Sequence, residues 1–269
     1  MNAEEGAEHV ANEATPMPAG PEPPGADMVA AARQLRREFE LIQMESEFAV
    51  EEVLTKISIL RQEFVRLRRY NPIEHVNSRV KTPASTLHKA IRLGVDPNPA
   101  GIREAVKDIA GVRITCSFIA DTYRVLDALT AQADVRVLSV KDYIKAPKPN
   151  GYKSLHALVE IPVFLSTGPV HVPVEVQVRT IAMDFWASLE HKIHYKYEGE
   201  VPPRLVERLS AAAKASERLD EQMEGLYAEV REAREPTTDE DEERLDDRML
   251  MRLWNSARDG HAVHREEEA

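Results

Sequence analysis

The sequence predicts an α+β fold: a mixed sheet of roughly five strands flanked by helices, with long helices at both ends of the folded region. Three observations carry this reading. His171–Arg179 alternates strictly, with Val172, Val174, Val176 and Val178 on one face and Glu175, Gln177 and Arg179 on the other. Apolar residues recur at spacings of three and four from Leu35 to Leu67, and again from Leu205 to Val230. Between these helical stretches, short strand-like runs alternate with short helical patterns and Pro/Gly/Asn punctuation.

Taken in order, residues 1–26 are rich in Ala, Glu, Pro and Gly and are expected to be a disordered tail. Asp27 can cap a long helix, or two in near-continuity, running to Arg69 and stopped by Pro72. IEHVNSRVKT is a strand with one polar face. Ser85–Leu93 is a short helix ended by Gly94, and DPNPAG is a loop. A second short helix spans Ile102–Lys107, and Asp108 marks its handover to the strand VRITCSF. Asp121 is expected to cap a helix reaching about Ala133, and the strand VRVLSVKDY follows. Leu155–Phe164 and His171–Arg179 form a hairpin around Ser166–Pro169. Thr180 to about Lys196 is an amphipathic helix carrying Phe185, Trp186 and Leu189. Pro202-Pro203 opens the last long helix, whose stripe suits either its own core or an oligomer interface, and Pro236 ends it. Residues 27–235 therefore form the folded domain, followed by an acidic extension over 236–269 in which Leu245–Trp254 could form a small helix.

Net charge is −11, and the acid is concentrated toward the two ends, while Arg61–Lys153 is locally basic. A basic pocket on an acidic protein suits small anions better than a long polyanion, so no DNA partner is expected. The lone Cys116 lies in an apolar run and supports neither a disulfide framework nor a thiolate zinc site. A reducing cytoplasm fits. No apolar run approaches the length of a membrane span, and the polar start is not a signal peptide.

The chemistry gathers around Lys145–His156, KAPKPNGYKSLH. Pro147 and Pro149 stiffen the backbone, and Asn150-Gly151 demands a tight turn. The expected product is a shaped loop with Lys145, Lys148 and Lys153 around one ring, Tyr152. It could cradle a polyphosphate beside a base, or be only a basic surface loop. Elsewhere, Arg79 and Lys81 share a strand face, Lys89 follows on a helix, and Arg113 begins the strand after Asp108. Asp108 and Glu175 are the prominent carboxylates. Placing phosphates beside them costs ~4 kcal/mol per like-charge pair at ~4 Å and an effective dielectric of about 20. A divalent ion such as Mg²⁺ would relieve this. A structural ion pair of Glu175 with Arg113 or Arg179 fits the same spacing. No Walker loop or G-x-G-x-x-G is present, and His191, His194 and Glu190 do not form H-E-x-x-H.

SRVKTP (78–83), KDIAGVRITC (107–116), VKDYIKAPKPNGYKSLH (140–156) and VEVQVRTIAMDFWASLEHKIHYK (174–196) closely resemble the synthetase domain of the RelA/SpoT family, in the order of its small alarmone synthetases. The resemblance implies a nucleotidyltransferase-like sheet. It also implies a GTP diphosphokinase moving the β,γ-pyrophosphate of ATP to the ribose 3′-hydroxyl of GDP or GTP, giving AMP and (p)ppGpp. No hydrolase motif is present, so synthesis without degradation is expected. By position, Tyr152 should stack on guanine, with Lys145, Lys148, Asn150, His156 and Gln177 around the acceptor. Arg79 and Arg113 should sandwich adenine, while Lys81 and Lys89 hold donor phosphates. Asp108 and Glu175 should hold Mg²⁺, with Glu175 also the candidate base. The resemblance and the striped helices together suggest a homotetramer. The alternatives are a catalytically silent nucleotide-sensing or RNA-binding regulator, and a pyrophosphokinase with another acceptor.

Overall fold

The computed structural model describes residues 26–96, 98–196, 202–234, 249–252 and 254–255. The expected tail and most of the acidic extension, including 245–248, lie outside them. The elements are α1 (Ala26–Arg68), β1 (Ile73–Val80), α2 (Pro83–Arg92), α3 (Pro99–Ala105), β2 (Ala110–Cys116), α4 (Ile119–Thr130), β3 (Arg136–Asp142), β4 (Leu155–Leu165), β5 (Gly168–Thr180), α5 (Ile181–Lys196) and α6 (Pro203–Arg234).

The five strands lie in the order β1-β2-β5-β4-β3, with β2 and β5 parallel and the other neighbours antiparallel. The mixed sheet is the one the periodicity predicts. Its two faces differ in chemistry. Val112 and Ile114 of β2, Ala157, Val159 and Ile161 of β4 and Val174, Val176 and Val178 of β5 are buried on one face. There they meet Val53, Ile57, Leu60 and Phe64 of α1 and Val125, Leu126 and Leu129 of α4. Burying a branched side chain of this size stabilises by roughly 1.5–3 kcal/mol, so the valine strand is pinned in register. A slip of one residue would drive Glu175 and Gln177 into that core. The opposite face carries the polar residues and is free to form a cleft.

α1 is one continuous helix of 43 residues, and the chain leaves it through Arg69 at φ 49°. β2 starts at Ala110, before the predicted Val112, because Ala110 and Gly111 pair with Val80 and Arg79 on one side and Val174 and Glu175 on the other. Arg113 therefore sits inside the strand, not at its start. α3 also starts early: Asn98 caps it by accepting from the Gly101 N–H at 2.8 Å, with Pro99 in the first turn. Pro99 of DPNPAG thus opens a helix.

Asp121 does not cap α4. It is buried within the first turn, accepts from the Tyr70 hydroxyl and pairs with Arg124 at 2.9 Å. The N-cap is Phe118, with no side-chain cap, and Glu224 of α6 accepts from the Ala120 N–H at 3.3 Å. Thr180 ends β5 and caps α5, its Oγ1 accepting from the Met183 N–H at 3.1 Å and donating to Asp220 of α6 at 2.7 Å. Trp186 is buried and donates to the Leu209 carbonyl at 3.0 Å. Phe185, Leu219, Met223, Leu226 and Val230 stay exposed, so the α6 stripe is only partly covered within the chain. Cys116 is buried, and desolvation raises its thiol pKa well above the ordinary range, as a core cysteine requires.

Candidate active site

Sheet register brings the polar residues into two adjacent rows. Arg79, Gly111 and Glu175 are opposed in one row across β1, β2 and β5. Asn77, Arg113, Gln177 and His156 form the next, across β1, β2, β5 and β4. A cleft of about 140 Å³ lies over these rows, lined by Asn77, Arg79, Gly111, Arg113, Glu175 and Gln177. Its floor is low at Gly111, where a Cβ would stand 3.6 Å from Arg79 Cγ. Two guanidinium groups beside a depression of this shape suit a planar, electron-rich ring.

At one end of the cleft, Lys81 and Lys89 both contact Asp108 Oδ2, at 2.9 and 2.6 Å. Burial pushes the Asp108 carboxyl up, but the two ammonium groups outweigh it and hold the pKa below the usual range. Asp108 Oδ1 is buried and has no hydrogen-bond partner. A carboxylate oxygen deprived of both water and donor is costly, and a cation would satisfy it. Asp108 also lies close enough for its charge to oppose ionisation of Glu175. The two carboxylates are therefore near neighbours.

Glu175 is held by neither arginine. His156 Nδ1 stands 3.5 Å from its Oε1, and Gln177 Nε2 donates to its Oε2 at 2.8 Å. His156, outweighing burial and helped by Gln177, keeps its pKa below the ordinary glutamate range. The ion pair that strand spacing allowed between Glu175 and Arg113 or Arg179 does not form. Both arginines turn instead to Asp184 in the first turn of α5, at 3.4 and 2.9 Å.

The loop after β3 has the shape its sequence demands. The Gly151 N–H donates to the Lys148 carbonyl at 2.8 Å, closing a turn over Pro149-Asn150, and Gly151 takes φ 87°. Asn150 works within this loop: its Oδ1 accepts from the Tyr152 N–H at 3.2 Å, and its Nδ2 donates to Glu190 of α5 at 3.1 Å. Tyr152 is half-buried, with Trp186, Ala187 and Ala213 packed along it. Lys148 Nζ lies 4.7 Å from the Tyr143 ring and 4.8 Å from the Tyr152 ring. Lys145 goes elsewhere, 5.1 Å from the Tyr123 ring and 3.7 Å from Asp142.

Arg79, Lys81, Lys89, Asp108, Arg113, Lys148, Tyr152, His156, Glu175 and Gln177 thus gather on one side of the sheet. Asn150 shapes the loop, and Lys145 stands apart. Sequence reasoning missed Arg179, Asp184 and Tyr143. Arg179 carried a signal, since it alternates with Glu175 and Gln177. Lys153 is committed to Glu217 of α6, and α6 comes close enough that a Cβ on Gly151 would lie 2.5 Å from the Ala213 Cβ. The Lys148–Lys153 loop therefore rests on α6.

Known proteins carry the same pattern. A model described as a region found in RelA / SpoT proteins matches residues 78–200. The chain is 49% identical over 183 residues to the GTP pyrophosphokinase YwaC of Bacillus subtilis, covering 68% of this chain and 87% of that protein. The crystal structure of small alarmone synthetase 2 from Bacillus subtilis superposes with a TM-score of 0.66 at 46% identity, covering 71% of this chain and 99% of that one. Small alarmone synthetase 1 from the same organism, bound to its product pppGpp, gives 0.66 at 39% identity, covering 72% and 98%. Identity at this level over most of a relative's length, on a shared five-stranded sheet, makes the chain a member of the RelA/SpoT family.

Proposed function

We propose that the protein is a (p)ppGpp synthetase, transferring the β,γ-pyrophosphate of ATP to the ribose 3′-hydroxyl of GDP or GTP and releasing AMP. The observation that carries this is the position of Glu175. It lines the Arg79–Arg113 cleft and is linked through His156 to Tyr152, so one ionised carboxylate stands between the cleft and the loop that carries the ring. The pyrophosphokinase name of the YwaC relative and the pppGpp bound to small alarmone synthetase 1 support the same reading.

In this reading Arg79 and Arg113 hold adenine, and Lys81 and Lys89 draw the donor phosphates toward Asp108. Lys148 and Tyr152 receive guanine, with His156 and Gln177 beside the acceptor ribose. Glu175 takes the proton of the 3′-hydroxyl. The freed oxygen pair forms a bond to the β-phosphorus of ATP, and the bond from that phosphorus to the α,β-bridging oxygen breaks. Its electrons leave on AMP. Such transfers depend mainly on positioning and charge stabilisation. Asp108 and Glu175 would hold Mg²⁺, and the orphaned Asp108 Oδ1 fits that role. When bound, the ion would neutralise charge on the transferring phosphates.

The exposed apolar residues of α5 and α6 support an oligomer, and a homotetramer is the size to test by light scattering. A cytoplasmic setting fits the reduced, buried Cys116, and no helix among the described residues is long and apolar enough to cross a membrane.

The test is incubation with ATP, Mg²⁺ and a panel of acceptors: GDP, GTP, ADP and RNA. AMP together with 3′-pyrophosphorylated guanosine is expected with GDP and GTP. Neither product, or transfer to ADP or RNA in preference, would overturn the reading.

A further inference from the structure

Around Glu175 four hydrogen bonds and one 3.5 Å contact, His156 Nδ1 to Glu175 Oε1, close into a ring of five residues. Arg179 Nη2 donates to the Tyr152 hydroxyl at 2.6 Å and to Gln177 Oε1 at 2.9 Å. The Tyr152 hydroxyl lies 2.6 Å from His156 Nε2, and Glu175 lies between His156 and Gln177. Arg179 is 5% exposed, and Asp184 takes its other terminal nitrogen at 2.9 Å.

We infer that Arg179 is a positioning residue: it fixes the direction of every bond in this ring and thereby presents Glu175 with a donor on each oxygen. A guanidinium has donors only and is never deprotonated in a protein. Tyr152 must therefore accept from Arg179, which leaves its single proton for His156 Nε2, 2.6 Å away. With Nε2 accepting, the proton of a neutral His156 sits on Nδ1, facing Glu175. On the other arm, the Gln177 oxygen must turn to Arg179, which leaves its amide nitrogen for Glu175. Without the guanidinium both arms can reverse. His156 would then offer Glu175 a lone pair, and Gln177 would offer it a carbonyl oxygen. One buried cation, separated from Glu175 by Tyr152 and His156 on one arm and by Gln177 on the other, thus sets the polarity of the base.

This inference rests on the proposed function for its kinetic part, but its main readout does not. Uniformly ¹⁵N-labelled wild-type protein, in long-range proton–nitrogen correlation spectra, should show neutral His156 protonated on Nδ1, assigned by the signal lost in His156→Gln. Arg179→Met should lose that preference and lower kcat about tenfold to a hundredfold, the range for removing an outer-sphere partner. The KM values should change less. Arg179→Lys, also donor-only, should keep the Nδ1 proton and recover part of kcat. Wild-type His156 protonated on Nε2, or Arg179→Met with tautomer and kcat both unchanged, would overturn the inference. The wild-type spectrum needs no variant, so poor folding of Arg179→Met would not shield it. A wild-type protein making no pyrophosphorylated guanosine would refute the functional reading and leave the spectrum to judge the ring.

Discussion

Arg113 and Arg179 meet on one carboxylate oxygen, Asp184 Oδ1, at 3.4 and 2.9 Å. One arginine lines the cleft assigned to adenine, and the other belongs to the ring that orients Glu175. Asp184 therefore couples the two halves of the site and screens two cations from each other. Asp184→Asn should weaken both contacts. Losing a charge-assisted bond of about 1.5 kcal/mol should raise the KM for ATP roughly tenfold. Steady-state kinetics with each nucleotide varied in turn would check this, and an unchanged KM for ATP would contradict it.

Glu175→Gln removes the proposed base while keeping the side-chain volume. Turnover should fall by about 10²–10⁴-fold, the range for loss of a general base. The melting temperature and ATP binding, measured by calorimetry, should stay near wild type. His156 holds the Glu175 pKa below the ordinary range, so the base stays ionised and its acid limb should fall at lower pH than for a typical glutamate. Gln177→Leu removes one donor, and that limb should move upward in pH.

Gly151→Ala should disturb the acceptor loop specifically. The new methyl would meet Ala213 at 2.5 Å, and φ 87° is a conformation that a non-glycine residue adopts at a cost of about 1–2 kcal/mol. The KM for GDP and GTP should rise while the KM for ATP holds. Adding Ala213→Gly should relieve the contact and restore part of the acceptor affinity. If ATP and GTP suffered equally, the loop would not be the separate acceptor element described above.

Asp220 gives a pH dependence of stability with a defined sign. Its carboxyl is buried in α6, and desolvation pushes its pKa up to about 6, against the Thr180 hydroxyl bond and Lys153, which pull it down. A carboxyl raised on folding contributes most stability when protonated in both states, and that contribution is lost as pH climbs from about 4 through 6. The span is of the order of 2–3 kcal/mol. Asp220→Asn cannot ionise. In urea titrations it should exceed wild type in stability at pH 7.5, and the difference should shrink toward pH 4.5. A constant difference across that range would show that Asp220 does not titrate there.

How much of this was readable in advance follows from the range of each interaction. The β5 alternation is local, so Glu175, Gln177 and the core valines were legible from period two alone. The Lys148–Gly151 turn was legible for the same reason. The destination of each polar group was not. Arg179 stands on the Glu175 face, yet its partners Tyr152 and Asp184 come from a loop and a helix that sequence does not bring together. Lys145 looked equivalent to Lys148 until α4 placed Tyr123 beneath it. Asp121 had the residue type and spacing of a cap, and only the arrival of Tyr70 shows why it is buried. Ala213 gave no signal, because a small residue in a helical stripe looks the same whether it faces solvent or admits a glycine loop.

The hold of α6 on the acceptor loop has a consequence for biosynthesis. Every side chain placed in the chemistry precedes residue 185, but the seat beneath Gly151 and the partner of Lys153 are Ala213 and Glu217. A nascent chain that has released the strands from the ribosome holds all the groups proposed to react while the loop proposed to take guanine still lacks its backing. Competence to make a nucleotide signal would then arrive only with α6, so a translation product interrupted before it would not issue it.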